Sequence, residues 1–184
     1  ENYNNKINLT EWSMKKHYLF LSILVILSFA CDRKTKYAVV VSANVEWKSL
    51  KKVYPNENFL KSTWSEYFFK EIEGQNILFF HEGWGKVSAA GATQYVVDHF
   101  NPEIIINIWT CGGFDGKVSK YDVILADRTV IYDIVEAMGD SKEAVAEYST
   151  NIDLSWLGDK YPSKVIKTIL VSADKDLRID EIDG

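Results

Sequence analysis

Residues 83–116 constrain the fold more than any other segment of the 184-residue chain. They open on Gly83-Trp84-Gly85-Lys86-Val87, pass through a stretch rich in small residues, and reach Glu103-Ile104-Ile105-Ile106-Asn107-Ile108-Trp109-Thr110-Cys111-Gly112-Gly113-Phe114. A run of branched apolar residues ending in two glycines predicts a fully buried parallel strand. Glycine at a strand end removes the Cβ, so a planar or sugar-like group can approach the backbone. In open α/β sheets, ligands bind outside the carboxyl ends of the strands. The segment therefore predicts the floor of a small-molecule pocket.

The rest of the chain supplies the elements around it. Strands are predicted over residues 37–43, 76–81, 103–109, 121–130 and 164–173 from their apolar, branched runs. Residues 44–53 place Trp47, Leu50 and Val53 at helical spacing. Residues 86–100 read as a second helix, with Ala89, Ala90, Gly91 and Ala92 small enough for close packing on a sheet, and Asn101-Pro102 stops it. Residues 59–72 read as helix or as a partly exposed cover, residues 141–148 as a short helix or turn, and residues 151–161 as loop. Strands alternating with helices predict a mixed or largely parallel sheet covered on both faces.

Composition narrows the function classes. An apolar fraction of 47% and a charged fraction of 26% are those of an ordinary globular domain. A net charge of −5 argues against a nucleic-acid partner. Cys31 and Cys111 are too few for a disulfide framework. His17, His81 and His99 are scattered without metal-ligand spacing, so neither metal nor cofactor is expected.

The first residues predict export rather than fold. Residues 1–13 are polar and aperiodic, Met14-Lys15-Lys16 is a charged opening, and residues 18–29 form an apolar run too short to span a bilayer comfortably. The run ends in Leu27-Ser28-Phe29-Ala30-Cys31, which resembles a bacterial lipoprotein signal with Cys31 bearing the lipid. An ordinary secretory signal or an uncleaved anchor fits the same run. The expected organisation is upstream sequence over 1–13, signal over 14–31, linker over 32–36 and one folded domain over 37–184. The expected location is a bacterial membrane, held by a lipid anchor, or the exported fraction.

Polar groups cluster at the predicted strand ends. The first strand delivers Ser42, Ala43 and Glu46, and the third delivers Thr110, Cys111, Gly112 and Gly113. The fourth brings Arg128 and Asp133, and the last brings Ser172, Asp174 and Asp176. Each could serve only as a cap or turn residue. Parallel neighbouring strands would instead bring them to one rim.

Several motifs carry a resemblance. Gly83-x-Gly85-Lys86-Val87-x-Ala89-Ala90, Asn107-x-x-Thr110-Cys111-Gly112-Gly113, Asp122-Val123-Ile124 and Val171-Ser172-Ala173-Asp174 occur in that order. Over residues 37–176 the chain resembles the nucleoside phosphorylase superfamily, and within it the 5′-methylthioadenosine/S-adenosylhomocysteine nucleosidases. The resemblance implies a three-layer α/β/α fold with a central mixed, largely parallel sheet, often dimeric. It implies cleavage of the N-glycosidic bond of a purine nucleoside, with water as nucleophile. It assigns Glu46 to the attacking water, Thr110, Cys111, Gly112 and Gly113 to the sugar and base, and Asp176 and Leu177 to the segment that stacks on the base. The family's ribose-binding acidic motif and its catalytic Asp lie further along, so the resemblance implies a C-terminally truncated domain.

The chemistry of the residues agrees with that assignment. N-ribosyl cleavage passes through an oxocarbenium-like sugar, by analogy with glycoside hydrolysis. A carboxylate such as Glu46 can position water and stabilise the positive charge. The first strand is followed by Ser42-Ala43-Asn44-Val45-Glu46, without arginine or a glycine-rich anion loop, which favours hydrolysis. Arg128 and Lys86 keep phosphorolysis open, and a non-catalytic exported nucleoside-binding lipoprotein remains the other reading. Two departures bear on the substrate: Glu46 stands alone where the family carries an acidic run, and Trp109 replaces a small residue before the pocket.

Overall fold

A computed structural model of the chain describes residues 35–134, 137–158 and 160–174. These divide between Trp109 and Thr110 into two compact units.

The first unit is built around β1 (Tyr37–Val41). Its register places Val41 beside His81 of β4 (Gln75–His81) and beside Ile108 of β5 (Ile104–Ile108), both parallel to it. β2 (Leu60–Lys61) and β3 (Glu66–Ile72) extend the sheet antiparallel, giving the order β2-β3-β4-β1-β5. Helix α1 (Asn44–Val53) follows β1, and helix α2 (Lys86–Phe100) follows β4.

Alternation along the strands separates two cores. Ala38 and Val40 of β1, with Leu78 and Phe80 of β4, pack against Ala92, Val96 and Phe100 of α2. Val39 and Val41, with Phe68 and Phe79, pack against Trp47 of α1. One helix on each face makes the three-layer α/β/α arrangement. An aromatic stack reinforces the α1 face: Phe68 and Phe79 lie 4.9 Å apart and nearly parallel.

Residues 59–72 form β2 and β3, neither helix nor irregular cover. The spacing of Trp64 and Phe68 mimics a helix. Tyr67 and Phe69 nevertheless pack on the α2 side while Phe68 packs on the α1 side, which is strand alternation with both faces covered. Glu73 and Gly74, both at positive φ (50° and 75°), then form the tight turn that pairs Ile72 with Gln75. The residues 103–109 are parallel, as expected, but not fully buried. β5 is the edge of its sheet, and Ile105 and Ile108 stay 36% and 41% exposed. Gly91 also has a different purpose from close packing on the sheet: a Cβ there would lie 2.2 Å from Cη2 of Trp64. Asn101, in the left-handed region, ends α2 where expected.

The second unit contains β6 (Val123–Ile131), α3 (Ser141–Glu147), β7 (Ser149–Asn151) and β8 (Val165–Ser172). β6 lies between β8, parallel to it, and the short antiparallel β7. β7 takes Asn151 out of the expected loop. The β6–β8 register shifts between Ala126 and Arg128.

Phe80 is fully buried at the centre of the α2 core. Phe80→Ala should cost about 3–5 kcal/mol of unfolding free energy, read as a lower midpoint in denaturant with an unchanged slope.

Candidate active site

The parallel strands of the first unit end level with one another, so the residues that leave them meet. Ser42 and Glu82 continue the parity of Ala38/Val40 and Leu78/Phe80 toward the α2 face, and Asn107 shares that face because its neighbour Ile106 packs on the other. Ser42 Oγ donates to Glu82 Oε2 at 2.9 Å and lies 3.4 Å from Asn107 Oδ1. Glu82 is only 2% exposed. Burial pushes its carboxyl above the ordinary value of 4.5, while hydrogen bonds from Ser42 and Asn107 pull the other way.

Glycine makes this geometry possible. Gly83 and Gly85 adopt φ of 89° and 88°, a region that residues with a Cβ avoid. They turn the chain sharply from Glu82 into α2, with Trp84 fully out in solvent between them.

On the α1 face a second polar group holds the helix. The His81 ring stacks on Trp47 with centroids 5.3 Å apart, and its Nδ1 lies 3.0 Å from Ser65 Oγ. Its Nε2 is enclosed and makes no hydrogen bond. Burial lowers the pKa of His81, which favours the neutral ring. Trp47 Nε1 donates to Glu66 Oε2 at 3.0 Å, and Lys51 pairs with the same oxygen. The bonds from Lys51 and Trp47 hold the Glu66 carboxyl below the usual range. Trp47 thus anchors α1, and the residue before it, Glu46, sits in the first turn of that helix. Glu46 is half-buried with Oε2 enclosed, and a carboxylate there is favoured by the helix dipole.

The remaining expected residues belong to the second unit or lie outside the described residues. Thr110, Cys111, Gly112 and Gly113 lie in the second unit, exposed and outside any helix or strand. The two glycines differ. The space beside Gly112 is open, whereas a Cβ on Gly113 would lie 2.0 Å from Cγ2 of Val118. Gly113 therefore accommodates a side chain of its own unit. Within the second unit, the β6 and β8 ends meet where Asp133 Oδ2 accepts from the Asp174 N–H at 3.0 Å. Arg128 is exposed on β6. Cys31, Asp176 and Leu177 lie outside the described residues.

Glu82 is a functional candidate that the motif reading missed, and Asn107, which opens one of the motifs, was given no role by it. A legible signal existed for Glu82: it stands two residues after Phe80 and four after Leu78, on the buried parity of a strand.

A parallel α/β edge of this kind serves many chemistries, and comparison with other proteins decides among families. The sequence profile of the phosphorylase superfamily matches residues 36–177. The chain belongs to the phosphorylase superfamily. A 5′-methylthioadenosine/S-adenosylhomocysteine nucleosidase of Marinomonas sp. is 36% identical over 69 residues, which cover 38% of this chain and 30% of that protein. The same-named protein of Buchnera aphidicola is 24% identical over 155 residues, covering 79% of this chain and 67% of its own length. Against several such relatives the chain spans less than half of their length. Among solved structures, the nucleosidase of Neisseria meningitidis in complex with methylthio-immucillin-A superposes with a TM-score of 0.61 at 22% identity, over 76% of this chain and 65% of that one. The superposition shows the shared superfamily fold.

The raised Glu82 pKa makes stability depend on pH. The folded state binds this proton more tightly than the unfolded chain, so the contribution is full below 4.5 and is lost as pH rises through the higher folded value. Glu82→Gln, which keeps a neutral side chain at every pH, should gain stability relative to the parent across that rise. Paired chemical denaturation at stepped pH reads the difference, and parallel curves would contradict it.

Proposed function

We propose that this chain belongs to an N-ribosyl hydrolase acting on a purine nucleoside of the 5′-methylthioadenosine or S-adenosylhomocysteine type. Superfamily membership supports chemistry at an N-glycosidic bond. The names of the relatives point to hydrolysis, and Glu46 is the single observation in this chain that carries the reading. Its carboxyl group stands in the first turn of α1, directly after the strand whose carboxyl end faces the rim. Ser42 and Ala43, which connect β1 to that helix, offer no cation for a phosphate nucleophile.

In this reaction the bond from ribose C1′ to the base nitrogen breaks and its electron pair leaves with the base. The sugar passes through an oxocarbenium-like state. Glu46 stabilises that charge, orients a water on the opposite face and accepts its proton as the oxygen bonds to C1′. The departing base takes up a proton, so nucleoside and water give free base and free sugar. Purified full-length gene product should release adenine from 5′-methylthioadenosine without added phosphate. Glu46→Gln should lower kcat by about 10²–10⁴-fold with the fold intact. Phosphate-dependent release, or an unchanged kcat in the variant, would count against the reading.

We also infer export and lipid anchoring through Cys31. The support is the charged opening at Met14, the apolar run over 18–29 and the small residue before the cysteine. Among the described residues no helix is long and apolar enough to cross a membrane. A homodimer is the assembly that the family resemblance suggests. Cells expressing the gene should incorporate labelled palmitate into the protein, and Cys31→Ser should abolish the label. Equal labelling of the two would exclude Cys31 as the anchor.

A further inference from the structure

Helix α1 carries Glu46 in a first turn that its own start does not cap. The N-cap residue is Ala43, whose methyl group cannot accept from the orphan N–H groups of that turn. The first backbone bond runs from the Trp47 N–H to the Ala43 carbonyl at 3.0 Å. An uncapped helix end frays unless packing holds it.

Trp47 supplies that packing. It is the buried residue of α1, only 4% exposed. Phe59, just before β2, meets its ring edge-on at 6.1 Å, and Phe68 of β3 tilts against it at 5.9 Å. These contacts set the depth of the indole. Its orientation is set by two others. The His81 ring lies against its face, 19° from parallel, which fixes the plane. The bond from Nε1 to Glu66 fixes the rotation within that plane.

His81 is more than a filler of this space. An apolar ring would fill it without enclosing Nε2, a polar atom that makes no hydrogen bond there. What the imidazole adds is a tether through Nδ1 to Ser65 Oγ. Ser65 is itself held in the turn between β2 and β3, where its N–H donates to Ser62 Oγ and its carbonyl accepts from the Ser62 N–H and hydroxyl. Burial keeps the ring neutral, with Glu66 of β3 pulling toward the charged form and Lys51 of α1 against it.

We propose that His81 is a positioning residue for Glu46: tethered by Ser65, its ring orients Trp47 and through it the uncapped first turn of α1. The proposal rests on the reading of Glu46 as the carboxylate that orients water, but its structural half can be read without catalysis.

The experiment uses the full-length protein, with 5′-methylthioadenosine as substrate and hydrogen exchange of the α1 amides as a second readout. His81→Ala should lower kcat by about tenfold or more and leave KM within about twofold, because orientation of the water is lost and nucleoside binding is not. The amides of Trp47, Lys48, Ser49 and Leu50 should exchange faster in that variant while those of α2 keep their protection. His81→Phe, which keeps a flat ring against the indole, should recover most of the kcat. In a Glu46→Gln background, His81→Ala should lower kcat by less than about twofold more, since both changes remove the same contribution. Should His81→Ala fail to fold by circular dichroism, Ser65→Ala carries the test, with smaller effects in the same direction. Unchanged exchange in α1, or a fully additive loss in the Glu46→Gln background, overturns the proposal and leaves the nucleosidase reading standing. Faster exchange in α1 of His81→Ala, beside a parent protein that releases no adenine, overturns that reading and keeps His81 as the residue that orients the first turn.

Discussion

β1 is the constraint from which the first unit follows. Five residues pair in parallel with β4 on one side and with β5 on the other, while their side chains alternate between two helices. Parallel pairing aligns the carboxyl ends. Burial on both faces fixes the register, since a slip of one residue would send Val40 toward α1 and Val41 toward α2. The position of Ser42, one residue beyond Val41, is thereby set to a fraction of a strand spacing. So is the start of α1, three residues beyond Val41, and with it Glu46. The site is thus a consequence of the core, in that no loop has to find its own conformation to bring these groups to the rim.

Two carboxylates close to this rim are treated differently by their surroundings. Glu66 receives a lysine and an indole N–H, and its ionised form is favoured. Glu82 receives a serine hydroxyl and an amide, and burial favours its neutral form relative to an exposed glutamate. The first arrangement fastens α1 to β3 through Trp47. The second leaves a carboxyl group whose hydrogen bonds point outward through Ser42 and Asn107. His81, whose neutral ring burial favours, stacks on Trp47 at the end of β4, and Glu82 follows it on the opposite face of the sheet. One residue of chain therefore separates a structural imidazole from a rim carboxyl.

Strand alternation and helix spacing made β1, α1, β4 and α2 readable, because each carries its period without interruption. They failed at residues 59–72, where aromatic side chains on both faces of β3 erase the polar half of the alternation and leave a helix-like spacing of rings. They failed in part at β5, since an Ile-rich run looks the same whether one edge or two are paired. Motifs led to Glu46 and to the Gly-x-Gly turn, whose positive φ values explain the glycines. Motifs could not lead to Ser42 with Glu82 and Asn107. Those three lie 40 and 65 residues apart in the chain, and only the order of the strands makes them neighbours.

The glycine pair after β5 shows that neighbouring residues of one motif meet different local surroundings. Gly112 and Gly113 are adjacent and equally bare in sequence, and both were expected to leave backbone open to a ligand. Gly112 has open space where its Cβ would stand, whereas Gly113 has Val118 there. A methyl group at 113 would have to displace a branched side chain of the same segment, so selection against it needs no ligand. A methyl group at 112 meets nothing within its own surroundings, and the backbone there is not in the left-handed region. Among the described residues, neither packing nor backbone strain requires glycine at 112. The two positions thus differ within a single dipeptide: one glycine is required by its own segment's packing and the other is not.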